Sequence, residues 1–406
     1  MSEDRAPDSV WLPKRRLRAL KPVWEAQHAG PSDSEALGSW HCEGLVVRAT
    51  FDRLRAFDTS TGRQRWVWEV PGRDVLSAMA GQVVDGVALV AHWPDTYDGA
   101  KSAGVTALDV RSGHELWSAQ QNLDELWGGT SGLRHGTVAL SRDRAMVATG
   151  EGVVALDSRT GRTVWTVPHG PARGARIGAA EDRLVLVTQQ ADGATVTSVD
   201  TADKTVLWQR PVPVDGPIEE VEIAAVDPLL LAVRGEGRRG RNHVLHLDAD
   251  GRTVAEISEA DGTSLLPYGS WCLADRGRQV MRSGDTLIAY LKSPGYDHVG
   301  RLAGFSLSTG RHLWTWDDGW GIDALTWHRG CVVALRHHEE VSEGTHVGWR
   351  CDTYVLDPAD GRKVARRRLR VTADEPYTVH LDGGRILWVD NKSRHGTPPV
   401  KAYDWR

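Results

Sequence analysis

Apolar residues alternate with polar ones in short runs along the whole chain, and turn-forming residues punctuate the runs every few positions. "RLVLVTQQ" at 183–190 followed by "GATVTSVD" at 193–200 is representative. A period of two over about four to eight residues, bounded by Gly, Asp, Asn or Ser, is the pattern of a half-buried strand. No stretch carries the spacing of an amphipathic helix. The pattern therefore predicts antiparallel hairpins throughout.

One phrase is rewritten along the chain. It reads "LRAFDTSTGRQRW" at 54–66, "VTALDVRSGHELW" at 105–117, "VVALDSRTGRTVW" at 153–165 and "VTSVDTADKTVLW" at 196–208, with the Trp eight residues after the Asp each time. Weaker copies start at 243, 302 and 353, and "VKAYDWR" at the end is the opening half of another. The anchors are Asp58, Asp109, Asp157, Asp200, Asp248, Ser306, Asp357 and Asp404, spaced by 51, 48, 43, 48, 58, 51 and 47 residues. Eight units of about 50 residues, each with four short strands, predict an all-β, eight-bladed β-propeller of four-stranded antiparallel blades. Gly62, Gly113, Gly161, Gly310 and Gly361 fall where the hairpin turn needs a positive φ, and the Asp or Ser before them can accept from the turn's amides.

The eighth copy ends before its Trp, and "LKPVWEAQ" near the other terminus puts Trp24 where an outer strand belongs. Closure of the ring by an N-terminal strand that completes the last blade is therefore expected, because it protects a sheet edge. Residues 1–20 read as a flexible lead-in and 21–406 as a single propeller domain.

The phrase resembles the Ala-x-Asp-x-x-x-Gly-x-x-x-Trp repeat of the pyrroloquinoline-quinone-type propellers, a superfamily that includes quinoprotein dehydrogenases and the propeller lipoprotein of outer-membrane barrel assembly. Ala155, Asp157, Gly161 and Trp165 match it, as do the sets that begin at Ala56 and Ala107. The resemblance implies that Trp66, Trp117, Trp165, Trp208 and Trp314, with Trp24 at the closure, stack between adjacent blades. Blades five and seven lack the Trp, so their seams should be weaker or repacked. The quinoproteins' disulfide between adjacent cysteines has no counterpart, since Cys42, Cys272, Cys331 and Cys351 are never neighbours. A quinone-dependent dehydrogenase is accordingly the least favoured enzyme, and no cofactor is expected.

Composition narrows the partners. A net charge of -5 from 49 basic and 54 acidic residues gives no general reason to bind nucleic acid. The cysteines are too few and scattered for a disulfide framework or paired zinc ligands, although Cys331 and Cys351 are expected near each other across one hairpin. The N-terminus opens acidic and offers no apolar core of a signal peptide, and no run approaches the ~18 apolar residues of a membrane span. A cytoplasmic monomer is expected.

Candidate chemistry gathers in the links that should share one face of the propeller, opposite the Asp-to-Gly hairpins. Those links hold His92, Trp93 and Tyr97 in the 91–104 loop, Arg238, Arg239 and Arg241 in 234–243, Tyr296 and His298 in 291–300, and His337 and His338 in 336–349. Blade-linking segments add Trp127 and Trp320. The His337–His338 pair with Glu339, Glu340 and His346 has metal-ligand types, but adjacent strand residues point to opposite faces, so no metal is assigned. Gly235–Gly240 fits G-x-G-x-x-G but runs into a strand rather than a helix, which denies a pyrophosphate its helix N-terminus. Its arginines suit an acidic partner instead. "KRRLR" at 14–18 reads as a partner-touching or solvated lead-in. Trp271, Trp327, His328 and His380, with His41, fall near the innermost strands and would line the central channel.

All strongly patterned residues are architectural, and no nucleophile is nominated by its context. The sequence reads best as a non-catalytic propeller that presents a loop-rich face to a protein, peptide or small-molecule partner. The alternative is a cofactor-independent lyase, cyclase or hydrolase that uses the central funnel, for which His, Asp and Trp should converge at one channel mouth.

Overall fold

The computed structural model describes residues 19–27, 36–94, 103–121, 137–149, 151–169, 174–190, 193–235, 242–258, 264–266, 280–292, 301–317, 322–342, 345–371, 377–390 and 398–405. It is an all-β, eight-bladed propeller. Blade one is Ala36–Cys42, Leu45–Thr50, Arg53–Asp58 and Gln64–Glu69, hydrogen-bonded in that order. The innermost strands of the next six blades are Asp74–Met79, Val138–Leu140, Gly174–Ala180, Ile218–Ala225, Ser264–Leu266 and Ala324–His328. Blade six differs in that Met281–Ser283 also pairs with the strand beside Ser264–Leu266, so its inner position is shared by two short pieces. Among the described residues no helix is long and apolar enough to cross a membrane.

Blade eight is closed as the truncated last repeat requires. Tyr377–Asp382, Arg385–Asp390 and Val400–Asp404 are completed by Trp24–Glu25, with Trp24 opposite Ala402. Leu20 adds a parallel bridge to Leu369 of blade seven, so the N-terminal segment ties two blades together.

The seams between blades explain the repeated phrase. The indole N–H of Trp66 donates to the Val110 carbonyl at 2.9 Å, that of Trp117 to Ser158 at 2.9 Å and that of Trp165 to Thr201 at 3.0 Å. Trp208, Trp314 and Trp24 do the same toward Ala249, Pro358 and Thr59. Each acceptor is the residue just after the next blade's anchor position. The turn glycine lies under the indole: a Cβ on Gly113, at φ 72°, would sit 2.5 Å from the Trp66 ring. Positive φ and a flat ring above it both demand glycine there.

The two seams without a repeat Trp are repacked. In blade five Ala255 occupies the Trp position, and its cross-strand neighbour is His246 rather than the small residue found opposite the other tryptophans. His246 Nδ1 reaches the Leu307 carbonyl at 2.9 Å, the acceptor that an indole would take. At the seam from seven to eight, Arg367 lies 5.0 Å from the centre of the Trp405 ring and His328 meets the same ring edge-on.

Two expectations need correction. Cys331 lies opposite His328 while Cys351 lies opposite His337, six positions apart on that strand or about 20 Å, because the register pairs Val332 with Leu356. The 336–349 stretch is not an irregular loop. Strands Cys331–Ser342 and Thr345–Leu356 run through it as a paired ladder with one register shift between Glu340 and Val341, since Val341 and Thr345 continue the strand pattern.

Candidate functional site

Two regions of the propeller carry chemistry, and they lie at opposite ends of its axis. On the loop-rich face the clearest feature is the blade-seven hairpin. Its inner neighbour pairs only as far as Leu335 and its outer neighbour only as far as Trp349, yet the two central strands continue pairing to Ser342 and Thr345. The hairpin therefore projects beyond its own blade. His337 and His338 stand on this arm opposite Cys351 and Arg350. Tyr97, Trp127, Arg238, Arg239, Arg241, Trp271, Tyr296, His298 and Trp320 lie outside the described residues.

His92 lies inside blade two, at 2 % exposure, rather than on the surface. Its Nδ1 is 2.6 Å from an Asp74 carboxylate oxygen and its Nε2 is 3.1 Å from the Thr106 hydroxyl, which meets Ser118 Oγ at 3.1 Å. The chain crosses all four strands of the blade. Gly104 makes room for it, since a Cβ there would fall 2.0 Å from the imidazole. Trp93 follows on the same strand and packs against the blade-two core.

The other region is the channel mouth on the hairpin face, where every innermost strand ends. His41 and His380 meet there from blades one and eight, with ring centres 5.9 Å apart. Ser39 Oγ is 2.8 Å from His380 Nε2, and His41 Nε2 is 3.8 Å from Asp382. Burial holds the His380 imidazole down to about 3, with a further push from His41. Burial also lowers His41 against the raising effect of Asp382. Both rings are thus neutral bases at pH 7. Trp327 and His328 end the neighbouring blade-seven strand, Trp327 against the core and His328 on Trp405. Among the described residues no group of three or more His, Cys, Asp or Glu side chains is arranged to hold a metal.

Across the same mouth a cavity of about 470 Å3 opens among blades two to six. Met79, Ile177 and Ile223 give it apolar walls, while Arg176, Glu222 and Arg282 add charge. Arg176 donates to Glu220 at 3.2 Å, and its Nε is buried without a partner among the described residues. The cavity exists because strand ends here carry Ala139, Gly178, Ala179, Ala180, Ala224 and Ala225 instead of large side chains. Those runs of small residues were the signal in the sequence, but nothing in one strand says that three such ends converge. Asp74, Thr106, Ser39 and Asp382 escaped sequence reasoning for the same reason.

Comparison with known proteins bears on the repeat and the fold. A family model described as outer membrane protein assembly factor BamB matches residues 16–165 and 149–318, three quarters of the chain. The chain belongs to this family. BamB from Moraxella catarrhalis superposes with a TM-score of 0.50 at 18% identity, over 90% of this chain and 92% of that one. The computationally designed Ika8 protein gives 0.54 at 13% identity, over 95% and 99%. A quinohemoprotein alcohol dehydrogenase from Pseudomonas putida gives 0.45 at 12%, over 78% of this chain and 62% of that one. At such identities the likeness is one of fold. No curated protein matches the sequence.

Proposed function

We propose that this protein is a non-catalytic, propeller-based scaffold that binds a protein partner through its loop-rich face, with the blade-seven arm as the primary contact. The carrying observation is that arm: a hairpin paired beyond both of its neighbours adds nothing to the ring's seams and extends a rigid edge outward. The repeated phrase supplies indole bridges and turn glycines, which make a stiff platform of the kind that positions variable links. The family description, an assembly factor, is in keeping with work done by binding.

The compartment belongs to the same proposal. Cys42, Cys331 and Cys351 are free, which suits a reducing cytoplasm. The family description favours a second reading, work on outer-membrane proteins, and recovery of the protein in an exported fraction would select it. One observation favours an enzyme, the meeting of His41, His380 and Asp382 at the mouth.

Native mass spectrometry of protein purified from its own host tests these together. The scaffold reading expects a stoichiometric protein companion that is lost when residues 339–348 are replaced by a tight Asn-Gly turn. A companion retained by that variant would sink the arm's role. A small bound molecule, released by His380→Ala, would favour the funnel enzyme.

A further inference from the structure

The flank of blade seven carries a concentration of positive charge that the loop-rich face does not explain. Its outermost strand, Lys363–Val371, is nine residues long and holds Lys363, Arg366, Arg367, Arg368 and Arg370. The outer strands of blades one to six have six or seven residues and no more than one Lys or Arg apiece. One basic residue is enough to blunt an exposed edge against aggregation. Five on one strand of a chain with net charge -5 exceed that need.

These side chains are held in place. Asp352, fully buried, takes Arg368 Nε at 2.8 Å and Arg366 Nη2 at 2.5 Å. Burial raises the Asp352 carboxyl, but the two guanidinium hydrogen bonds outweigh it and keep the group below the usual carboxylate range. Arg366 also lies 5.2 Å from the Tyr354 ring centre, and Arg367 is 5.0 Å from that of Trp405. Lys363 and Arg370 are exposed, with Lys363 Nζ 5.9 Å from the Tyr354 ring centre. Asp352 fixes Arg366 and Arg368, and fixed guanidinium forks lose little freedom when a carboxylate arrives.

The backbone edge of the same strand already accepts an added residue. Leu20 N–H donates to the Arg368 carbonyl at 2.8 Å and the Arg370 N–H donates to the Leu20 carbonyl at 2.8 Å. Residues two apart face the same edge, so the Arg366 backbone groups point outward as well. Among the described residues no strand lies beside them. Lys21, next to the bridge, is exposed.

We infer that the outer edge of blade seven is a docking strip for an acidic, extended protein segment, which adds to the edge through its backbone and pairs its carboxylates with Lys363, Arg366 and Arg370. An anionic lipid surface would answer the charge but offers no backbone donors and acceptors for an open strand edge. The strip is separate from the loop-rich face and stands without the scaffold reading above.

The test uses the full chain and a fluorescent twelve-residue peptide of alternating Glu and Thr, with its affinity read by anisotropy. Binding should weaken at least about tenfold between low and physiological salt. It should weaken about tenfold again in the Lys363→Glu, Arg370→Glu double variant, whose exposed sites leave the melting temperature in place. A peptide with the same charges but N-methylated on alternate amides should also lose about tenfold, because it cannot extend a sheet. Absence of binding, or equal binding by the double variant or by the methylated peptide, overturns the proposal. So does charge-dependent binding to phosphatidylglycerol vesicles with none to the peptide.

Discussion

Lys204 sits where the other hairpins of this type have glycine, at φ 63°. A side chain in the left-handed region costs ~1–2 kcal/mol, and glycine returns about 0.5–1 kcal/mol of that through the greater freedom of the unfolded chain. Lys204→Gly should therefore stabilise the protein by about 0.5–1 kcal/mol, read from urea denaturation. His246 is the counterpart case, where a residue outside the repeat motif takes over a motif role. His246→Ala leaves the Leu307 carbonyl without its donor and should cost ~1–3 kcal/mol. Adding Ala255→Trp to that variant restores the arrangement of the other seams and should recover most of the loss. If the double variant is no better than the single one, the exchange of large and small positions is not what closes this seam. Asp285 shows the same substitution of role: blade six has Ser306 at the anchor, and the Asp285 carboxylate from a neighbouring turn accepts from the Ser306 hydroxyl and the Ser308 amide instead.

At the scale of elements, the hairpin turns and the tryptophans were legible because one phrase encodes them locally: an Asp that caps a turn, a glycine at positive φ, and a Trp eight residues on. Asp58 accepts from the Ser60 and Thr61 amides at 3.0 Å each, as that reading requires. The blade-seven arm was missed because "RHHEEVSEGTHVGW" has the composition of a solvated loop, and only the ladder between the two strands reveals its order. Among the described residues, those on the outer part of that arm pair with each other and with no third strand. Replacing 339–348 by Asn-Gly should therefore shift the melting temperature by less than about 2 °C, seen by calorimetry. A larger fall would mean that the arm packs on the body of the propeller.

At the scale of the molecule, the ring is held shut by one seam. Trp24 donates to Thr59, Arg48 Nε to the Asp390 carbonyl at 2.9 Å, and Lys401 lies 3.5 Å from the Asp390 carboxylate. Removing residues 1–27 strips the outer strand from blade eight and exposes the face of Gly62 that the Trp24 ring covers, so the truncated chain should melt well below the intact one, by at least about 10 °C. An unchanged melting point would deny the closure its role. His380 lies in the same seam through its contact with Ser39. Its pKa falls from 6.5 in the unfolded chain to about 3 in the fold, so the unfolded chain binds the proton more tightly. The stability from its neutral form is complete above pH 6.5 and is lost as pH falls toward 3, by up to about 1.4 kcal/mol per pH unit. Urea midpoints between pH 7 and pH 4 should fall less steeply in His380→Gln than in the parent, and equal slopes would reject the assignment.

The sequence by itself determined the ring. The spacing of its anchors, the hairpin chemistry in each unit and the divided eighth repeat are local or periodic properties, and strand pairing within a blade joins neighbours in the chain. Only the tertiary structure decided what meets across blades. His41 and His380 are 339 residues apart, three small-residue strand ends converge on one cavity, and an Arg-rich strand receives a bridge from Leu20. The physical reason is that a propeller brings together residues from separate repeats around a shared axis. The sequence of each repeat records its own folding and carries no mark of which side chains from another repeat will stand beside it.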